Sequence, residues 1–344
     1  MSVLRAVPQD LPLPIRKGGG VREWLWGGPP RAERARISVT LGEGHVARFK
    51  KGNPQVKYEL VFGEQGGSFV VLDERLENDR PAAGETEPYF YFKYQRGRPI
   101  LNANDGTRKL RREEVDPTQS ILSQRKDSES YPEITRLAAS LGQIRIYRSW
   151  SFGPDAVVRE SNRADERNDR LSETFDNLAG RLAVLKKDPA VKKLLLSCIR
   201  ELAPGFDDIE IVPEGGRLQL YLTEGGRNTP AHRLSDGTLR FLCLVAILLD
   251  PSPPPLVVIE EPELGLHPDS FPILHDLLID ASQRCQLLVT THSVNLVDAF
   301  TERPEAVLVV DKREGSTLIS QVKPAEGEGL SSQWLSGQIG GTRW

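Results

Sequence analysis

Between residues 239 and 310 the chain alternates apolar helices with short strands that carry almost no polar residue. No other feature limits the fold as much. The helical stretch Leu239–Leu249 precedes the strand Leu256-Val257-Val258-Ile259. The helix Ser270–Ala281 precedes the strand Gln286–Thr290, and the helix Val294–Phe300 precedes a strand at Ala306–Val310. A strand with one wet face alternates apolar and polar side chains, whereas a continuously apolar strand is covered on both faces. The pattern predicts an α/β fold, with a parallel sheet in an α/β lobe spanning 234–344.

The upstream sequence has a different texture. Arg36–Leu41, Gln55–Phe62, Ser68–Leu72 and Tyr89–Tyr94 have period-2 character and are separated by Gly, Asn and Pro turns. They predict an antiparallel β lobe over 1–150 with one solvated face, closed by a further strand at Ile144–Tyr147. Met1–Val7 reads as the end of a helix, followed by a Pro-rich turn and a Gly-rich stretch. The polar segment 104–130 is expected to run over the surface with little regular structure. Within 151–233, Leu171, Phe175, Leu178, Leu182 and Leu185 recur at helical spacing. Asp188 caps a second helix with Pro189 at its first position. Its apolar stripe is Val191, Leu194, Leu195, Ile199 and Leu202. The two helices are expected to pack as an antiparallel hairpin lobe, followed by a β-hairpin of Ile209–Val212 and Leu218–Leu222.

Charge and composition exclude several classes. Across 344 residues, 45 Lys+Arg face 48 Asp+Glu, a formal charge of −3, so no polybasic field draws the chain to nucleic acid or anionic lipid. The clusters Arg108–Arg112 and Lys186–Lys187 with Lys192–Lys193 are each diluted by neighbouring acids (Glu113, Glu114, Asp188). The longest apolar run, Phe241–Leu249, falls well short of the ~20 residues a spanning helix needs, so no membrane segment is expected. Prolines interrupt the N-terminal stretch where a signal peptide has its apolar core. Cys198, Cys243 and Cys285 lie far apart in apolar contexts and form neither a disulfide framework nor a CxxC knuckle, which suits the cytoplasm.

The chemistry concentrates at strand ends. Glu260 and Glu261 follow the strand 256–259, at the edge where α/β sheets bind ligands. Adjacent carboxylates there suit Mg²⁺ and a phosphate-attacking water, or are simply solvated turn acids. Ser235-Asp236-Gly237-Thr238 stands before a long helix, either as an ordinary cap or as an anion-binding helix start. Gly265-Leu266-His267-Pro268 forms a turn after the acids. Thr290-Thr291-His292-Ser293 closes the next strand with a histidine expected beside Glu260 and Glu261.

In this order, LSDGT, LVVIEEPELGLHP and LLVTTHS resemble the signature motif, Walker B, D-loop and H-loop of ATP-binding-cassette ATPases. They are more similar to the heads of structural-maintenance-of-chromosomes and RecF-like proteins, and most of all to predicted bacterial ATPases akin to overcoming-lysogenization-defect proteins. The stretches GGGVREWLW and IRIYRSW extend the resemblance over nearly the whole chain. It implies an ABC-ATPase head (P-loop NTPase-like) that uses ATP and Mg²⁺. Glu260 would take the position that holds Mg²⁺ through water, and Glu261 that of the general base. His292 would contact the γ-phosphate. Ser235, Asp236 and Gly237 would meet a nucleotide held by the opposite subunit of a homodimer, and Leu266 and His267 would lie in the loop crossing that interface. DNA is the client class the resemblance suggests, in repair or phage defence. Glu260 stands where an Asp is more usual, and Asp236 brings a negative charge towards phosphate. The metal-sensing glutamine is unassigned, with Gln119 and Gln124 as candidates.

The phosphate-loop pattern G-x-x-x-x-G-K-[ST] is absent from the 344 residues, and Lys17-Gly18-Gly19-Gly20 has the wrong order to replace it. The chain is therefore expected to start inside the family's first helix, without the phosphate-loop strand, and by itself to hold little or no ATP. Either an in-frame segment upstream supplies that loop or the chain is a non-hydrolysing pseudo-ATPase. Loss of a central buried strand would expose apolar faces and unpaired backbone groups, which favours the first. Two rival functions remain: a metal-dependent nuclease using Glu260, Glu261, Glu263 and His267, and a DNA- or partner-binding scaffold. Pro262, Gly265 and Pro268 bar the helix that an ExxxH metal pair needs.

Overall fold

A computed structural model of the chain describes residues 1–42, 55–81, 84–95, 98–103, 106–109 and 115–322. The chain divides into two units, Met1–Ile144 and Arg145–Trp344.

The first unit begins with α1 (Ser2–Ala6) and α2 (Pro12–Lys17). The Pro-rich stretch expected as a turn is thus a short helix. Pro12 occupies the first helical position, where its missing N–H is harmless, while Leu11 and Ile15 are buried. A six-stranded antiparallel sheet follows in sequential order: β1 (Arg34–Leu41), β2 (Val56–Gln65), β3 (Ser68–Asn78), β4 (Phe90–Gln95), β5 (Arg98–Ala103) and β6 (Gly106–Lys109). The outer strand β1 alternates between exposed and half-buried residues, but the inner strand β2 is buried along most of its length. Tyr58, Leu60, Leu76, Phe92 and Leu101 form its core. A bulge between β2 and β3 falls where Val61 faces Asp73 and Phe62 faces Val71.

Within 104–130, the described residues 106–109 and 115–130 hold more regular structure than their polarity predicts. They include β6 and α3 (Ile121–Gln124), with Ile121 and Leu122 fully buried. The start of α3 is held by a buried acid on β3. Glu74 Oε1 accepts from the Tyr58 hydroxyl (2.8 Å) and the Ser120 hydroxyl (2.5 Å), and Oε2 accepts from the Ile121 amide (2.9 Å). Ser120 also caps α3 by accepting from the Leu122 amide. A further helix, α4 (Pro132–Gly142), buries Ile134, Leu137 and Leu141.

Burial pushes the Glu74 carboxyl from its ordinary 4.5 up to about 7, against the three donors that favour its charged form. A carboxyl whose folded-state value exceeds its unfolded value keeps its proton longer in the folded protein. The resulting stabilisation is complete below the unfolded value and disappears as the pH rises through about 7. Urea unfolding should therefore weaken by roughly 3 kcal/mol from acid to mildly alkaline pH through this group. Glu74→Gln should flatten that slope; the same slope in the variant would contradict the assignment.

The second unit is built on a three-stranded parallel sheet in the order β13 (Gln286–Thr290), β12 (Leu256–Glu260) and β7 (Arg145–Tyr147). Its strand β7 comes from the segment that the sequence places in the β lobe, but it pairs in parallel with β12. The chain continues through β8 (Asn162–Arg163), α5 (Leu178–Leu185), α6 (Pro189–Leu202), β9 (Phe206–Glu214), β10 (Arg217–Glu224) and β11 (Arg227–Pro230). β8 to β11 form an antiparallel sheet centred on β10, with Leu220 opposite Ile211 and Leu222 opposite Ile209, as the expected hairpin requires. Then come α7 (Asp236–Leu248), β12 (Leu256–Glu260), α8 (Phe271–Ser282), β13 (Gln286–Thr290), α9 (Val294–Asp298), β14 (Leu308–Arg313) and β15 (Ser316–Gln321).

Several expectations about this unit need correction. Leu171 and Phe175 are buried like the rest of their seam but precede α5. Phe175 sits at φ +64°, which ends any helix there, and its ring stacks on Tyr147, Trp150 and Phe152. α5 and α6 do not form a hairpin chiefly against each other; each packs on α7 and β9. Leu194 lies at the margin of the α6 stripe and is 52% exposed, while Leu195 and Ile199 are buried. Finally, the strand expected at 306–310 does not join the parallel sheet. β14 pairs antiparallel with β15, leaving Val310 and Ile319 exposed. β12 is covered on both faces, whereas β13 alternates between exposed and half-buried residues.

Candidate functional site

The parallel register of β12 and β13 determines what meets at their C-terminal edge. Glu260 pairs with Thr290, so the next residues of both strands leave the sheet together. The Glu261 amide donates to the Thr290 carbonyl at 2.9 Å. His292 Nε2 then lies 3.7 Å from Glu261 Oε1, and the imidazole is 92% exposed. The two sequence-predicted residues that most needed to converge therefore do so. Glu260 is half-buried beside them, and its carboxylate has no hydrogen-bond or ion-pair partner among the described residues.

The main chain at this edge is strained and braced. Glu261 adopts φ +47°, a left-handed conformation that ordinary residues avoid unless their surroundings hold them there. Its carbonyl accepts from Arg240 Nη1 at 3.2 Å and from the Leu264 amide at 3.3 Å. Trp150 Nε1 donates to the Glu260 carbonyl at 2.6 Å. The Arg240 guanidinium lies 4.8 Å from the centre of the Trp150 ring and 5.5 Å from that of Phe152. Burial presses its pKa below the ordinary value, and the charges of Glu263 and Glu261 act in the opposite direction. Glu263 is itself buried and accepts from the Thr291 hydroxyl and the His292 amide.

Ser235 caps α7 by accepting from the Thr238 amide at 3.1 Å, and its hydroxyl lies 2.7 Å from that of Thr238. Ser235 and Asp236 are exposed on the outer side of the turn. The Asp236 charge, an obstacle to phosphate on sequence grounds, is paired with Arg159. The same guanidinium donates to the carbonyls of Phe152, Gly153 and Leu234 and so ties the turn to the preceding chain. Gly237 serves a steric purpose within one chain. A Cβ there would stand 2.7 Å from the Gly265 carbonyl oxygen, so only glycine lets the turn 234–238 and the loop 264–267 pass this closely.

The other candidates are placed differently. Leu266 packs inward against the core, and His267 caps the following 3-10 turn by accepting from the Asp269 amide. Gln119 and Gln124 are engaged locally. Gln119 Oε1 accepts from the Leu11 amide, while Gln124 accepts from the Asp116 amide and donates to the carbonyls of Asp116, Gln119 and Ser120. Lys186 is tied to Asp208, which removes it from a free basic face. Residues 110–112 of the other basic cluster lie outside the described residues. Among the described residues no three His, Cys, Asp or Glu side chains gather as a metal cage. Glu260, with its carboxylate uncommitted, has the chemistry to hold a cation through water. Arg159 and Arg240, which brace the turn and the edge, carry no motif of their own, and Trp150 ends the IRIYRSW stretch without any signal of its bond to the Glu260 carbonyl.

This fold, with its acids and histidine at one sheet edge, is that of an ABC-type ATPase head. The chain belongs to the family described as "AAA domain, putative AbiEii toxin, Type IV TA system", which matches residues 33–298. Among solved structures it is similar to an SmcHead bound to the C-winged helix domain of ScpA, with a TM-score of 0.54 and 13% identity over 96% of this chain and 86% of that one. It is also similar to a Pyrococcus furiosus Smc head domain with an extended coiled coil bound to the C-terminal domain of ScpA, with a TM-score of 0.49 and 12% identity over 98% and 88% of the two chains. At 13% identity the likeness to the first of these concerns the fold alone. No curated protein matches the chain. Among the described residues no helix is long and apolar enough to cross a membrane.

Proposed function

We propose that the chain is the head of an ATPase which, in the protein expressed from its own locus, binds ATP and Mg²⁺ between two copies and hydrolyses the nucleotide. The observation that carries this reading is the 3.7 Å approach of His292 to Glu261 beside an uncommitted Glu260. Glu260 would hold the cation through water. Held there, Mg²⁺ would supply positive charge against the charge that develops on the phosphates during hydrolysis. Glu261 would orient the attacking water and accept its proton, from a carboxylate whose main chain is fixed on both sides. His292, exposed at the same edge, would donate to the γ-phosphate. Ser235 and the first amides of α7 would receive the nucleotide of the opposite copy, with Asp236 already neutralised by Arg159.

The family description speaks of a putative toxin of a type IV TA system, a repair or phage-defence setting rests on the resemblance of the motifs, and the cytoplasm is where a head fed by ATP would work. Duplex DNA as client rests on the resemblance of the motifs. Steeply salt-dependent binding would support phosphate contacts, and flat binding would contradict them.

The dimer can be tested with the protein expressed from its own locus with a C-terminal tag. Sedimentation with ATP and Mg²⁺ should show twice the mass found without nucleotide. Ser235→Arg should remain monomeric while still binding ATP, because its own nucleotide does not touch that turn. An unchanged mass with saturating ATP would contradict the sandwich.

A further inference from the structure

We propose that Glu263 is a positioning residue whose carboxylate locks the main chain of residues 291–293 and thereby aims the His292 imidazole at Glu261. The inference rests on the ATPase reading for its purpose, but its geometry stands apart from that reading. Glu263 is 7% exposed, on the turn that follows β12. Its Oε1 accepts from the Thr291 hydroxyl at 2.5 Å and from the His292 amide at 3.2 Å. The Thr291 oxygen in turn accepts from the Ser293 amide at 3.0 Å, and Ser293 caps α9 by accepting from the Leu296 amide. One carboxylate therefore organises three consecutive residues between β13 and α9.

The imidazole needs such a lock. Its ring is 92% exposed, with no packing to hold it, so its direction is inherited from the main chain. Glu263 is fixed in its own turn, where its carbonyl accepts from the Leu266 amide at 3.0 Å. Its second oxygen, Oε2, is buried with no hydrogen-bond partner among the described residues. A buried carboxylate left half-satisfied is a poor choice for stability alone, where an apolar side chain of similar size does as well or better. The charge of Arg240 offsets part of that cost, and Arg240 also holds the Glu261 carbonyl. Glu263 and Arg240 thus brace the histidine and the acid from beneath, one strand end each.

Amide hydrogen exchange of the 344-residue chain, read without nucleotide, tests the lock directly. Glu263→Ala should speed exchange at His292 and Ser293 by about tenfold or more, the loss of a hydrogen bond to a charged acceptor, and leave Val258 in β12 unchanged. Glu263→Gln retains a carbonyl oxygen for both donors and should keep the wild-type protection. Thr291→Val, a milder change should the alanine variant fold poorly, should speed Ser293 alone. Unchanged His292 exchange in Glu263→Ala, or equal loss in the glutamine variant, would overturn the proposal. In turnover by the protein from its own locus, Glu263→Ala should lower kcat with KM unchanged, and Glu263→Gln should restore it. If wild type and variants alike fail to hydrolyse ATP while the exchange pattern holds, the ATPase reading falls and the lock stands.

Discussion

Glu261→Gln, in the protein expressed from its own locus, should lower ATP turnover by about 10²–10⁴-fold, the range for loss of a positioned general base. ATP binding should persist, and the dimer should accumulate in its ATP-bound form. The substitution preserves shape, so the bonds from Arg240 and Leu264 to the residue 261 carbonyl, and from its amide to Thr290, survive. What disappears is the negative oxygen 3.7 Å from His292 and its capacity to take a proton from water. The left-handed main chain at Glu261 makes the effect specific. The side chain leaves the strand at an angle set by that conformation, which neighbouring acids cannot reproduce. Equal turnover by variant and wild type would remove Glu261 from this role.

Arg181→Met should destabilise the second unit by about 3–5 kcal/mol, the penalty for breaking one side of a buried ion pair. For a unit of this size that lowers the unfolding midpoint by roughly 6–20 °C. Arg181, on α5, is 2% exposed and stands 3.1 Å from Asp250, which is 6% exposed just beyond α7. The pair is off hydrogen-bond geometry: among the described residues Nε and Nη2 have no hydrogen-bond acceptor, while Nη1 donates to the Asp169 carbonyl at 2.6 Å. Removing Arg181 strands a carboxylate in the interior. Arg181→Met combined with Asp250→Asn should recover most of the loss. The amide oxygen introduced at position 250 can still accept from the Ser252 amide, and the side chain carries no charge. A single variant as stable as the wild type in thermal and urea unfolding would show that the pair carries no such burden.

The sequence is legible where local pattern and tertiary demand agree. β12 and residues 241–248 of α7 declare themselves because both are buried along most of their length, so their apolar runs carry no polar residue between Phe241 and Leu248 or between Leu256 and Ile259. The convergence of Glu261 and His292 follows from parallel pairing alone, since equal strand lengths bring both ends to one edge. Legibility fails where one distant residue decides. Nothing local to 115–124 announces α3; its start is held by Glu74, one buried acid on β3. β14 reads like another strand of the parallel sheet, but the turn at Glu314-Gly315 has φ +50° and +82° and folds it back on β15 instead. Arg159, Arg240 and Trp150 escape a sequence reading because they serve carbonyls and rings, partners that leave no spacing in the sequence. α4 escapes it too, although a signal exists: Ile134, Leu137 and Leu141 share one helical face.

The account depends on Glu261 and His292 working as one unit at the sheet edge, and a double-mutant cycle on ATP turnover measures that most directly. Glu261→Gln, His292→Ala and the pair together should be compared in the protein expressed from its own locus. If the two act on the same reacting atoms, the double variant should be no slower than the slower single variant. Two losses that simply multiply, or no loss in either variant, would mean that the carboxylate and the imidazole share an edge but not a reaction.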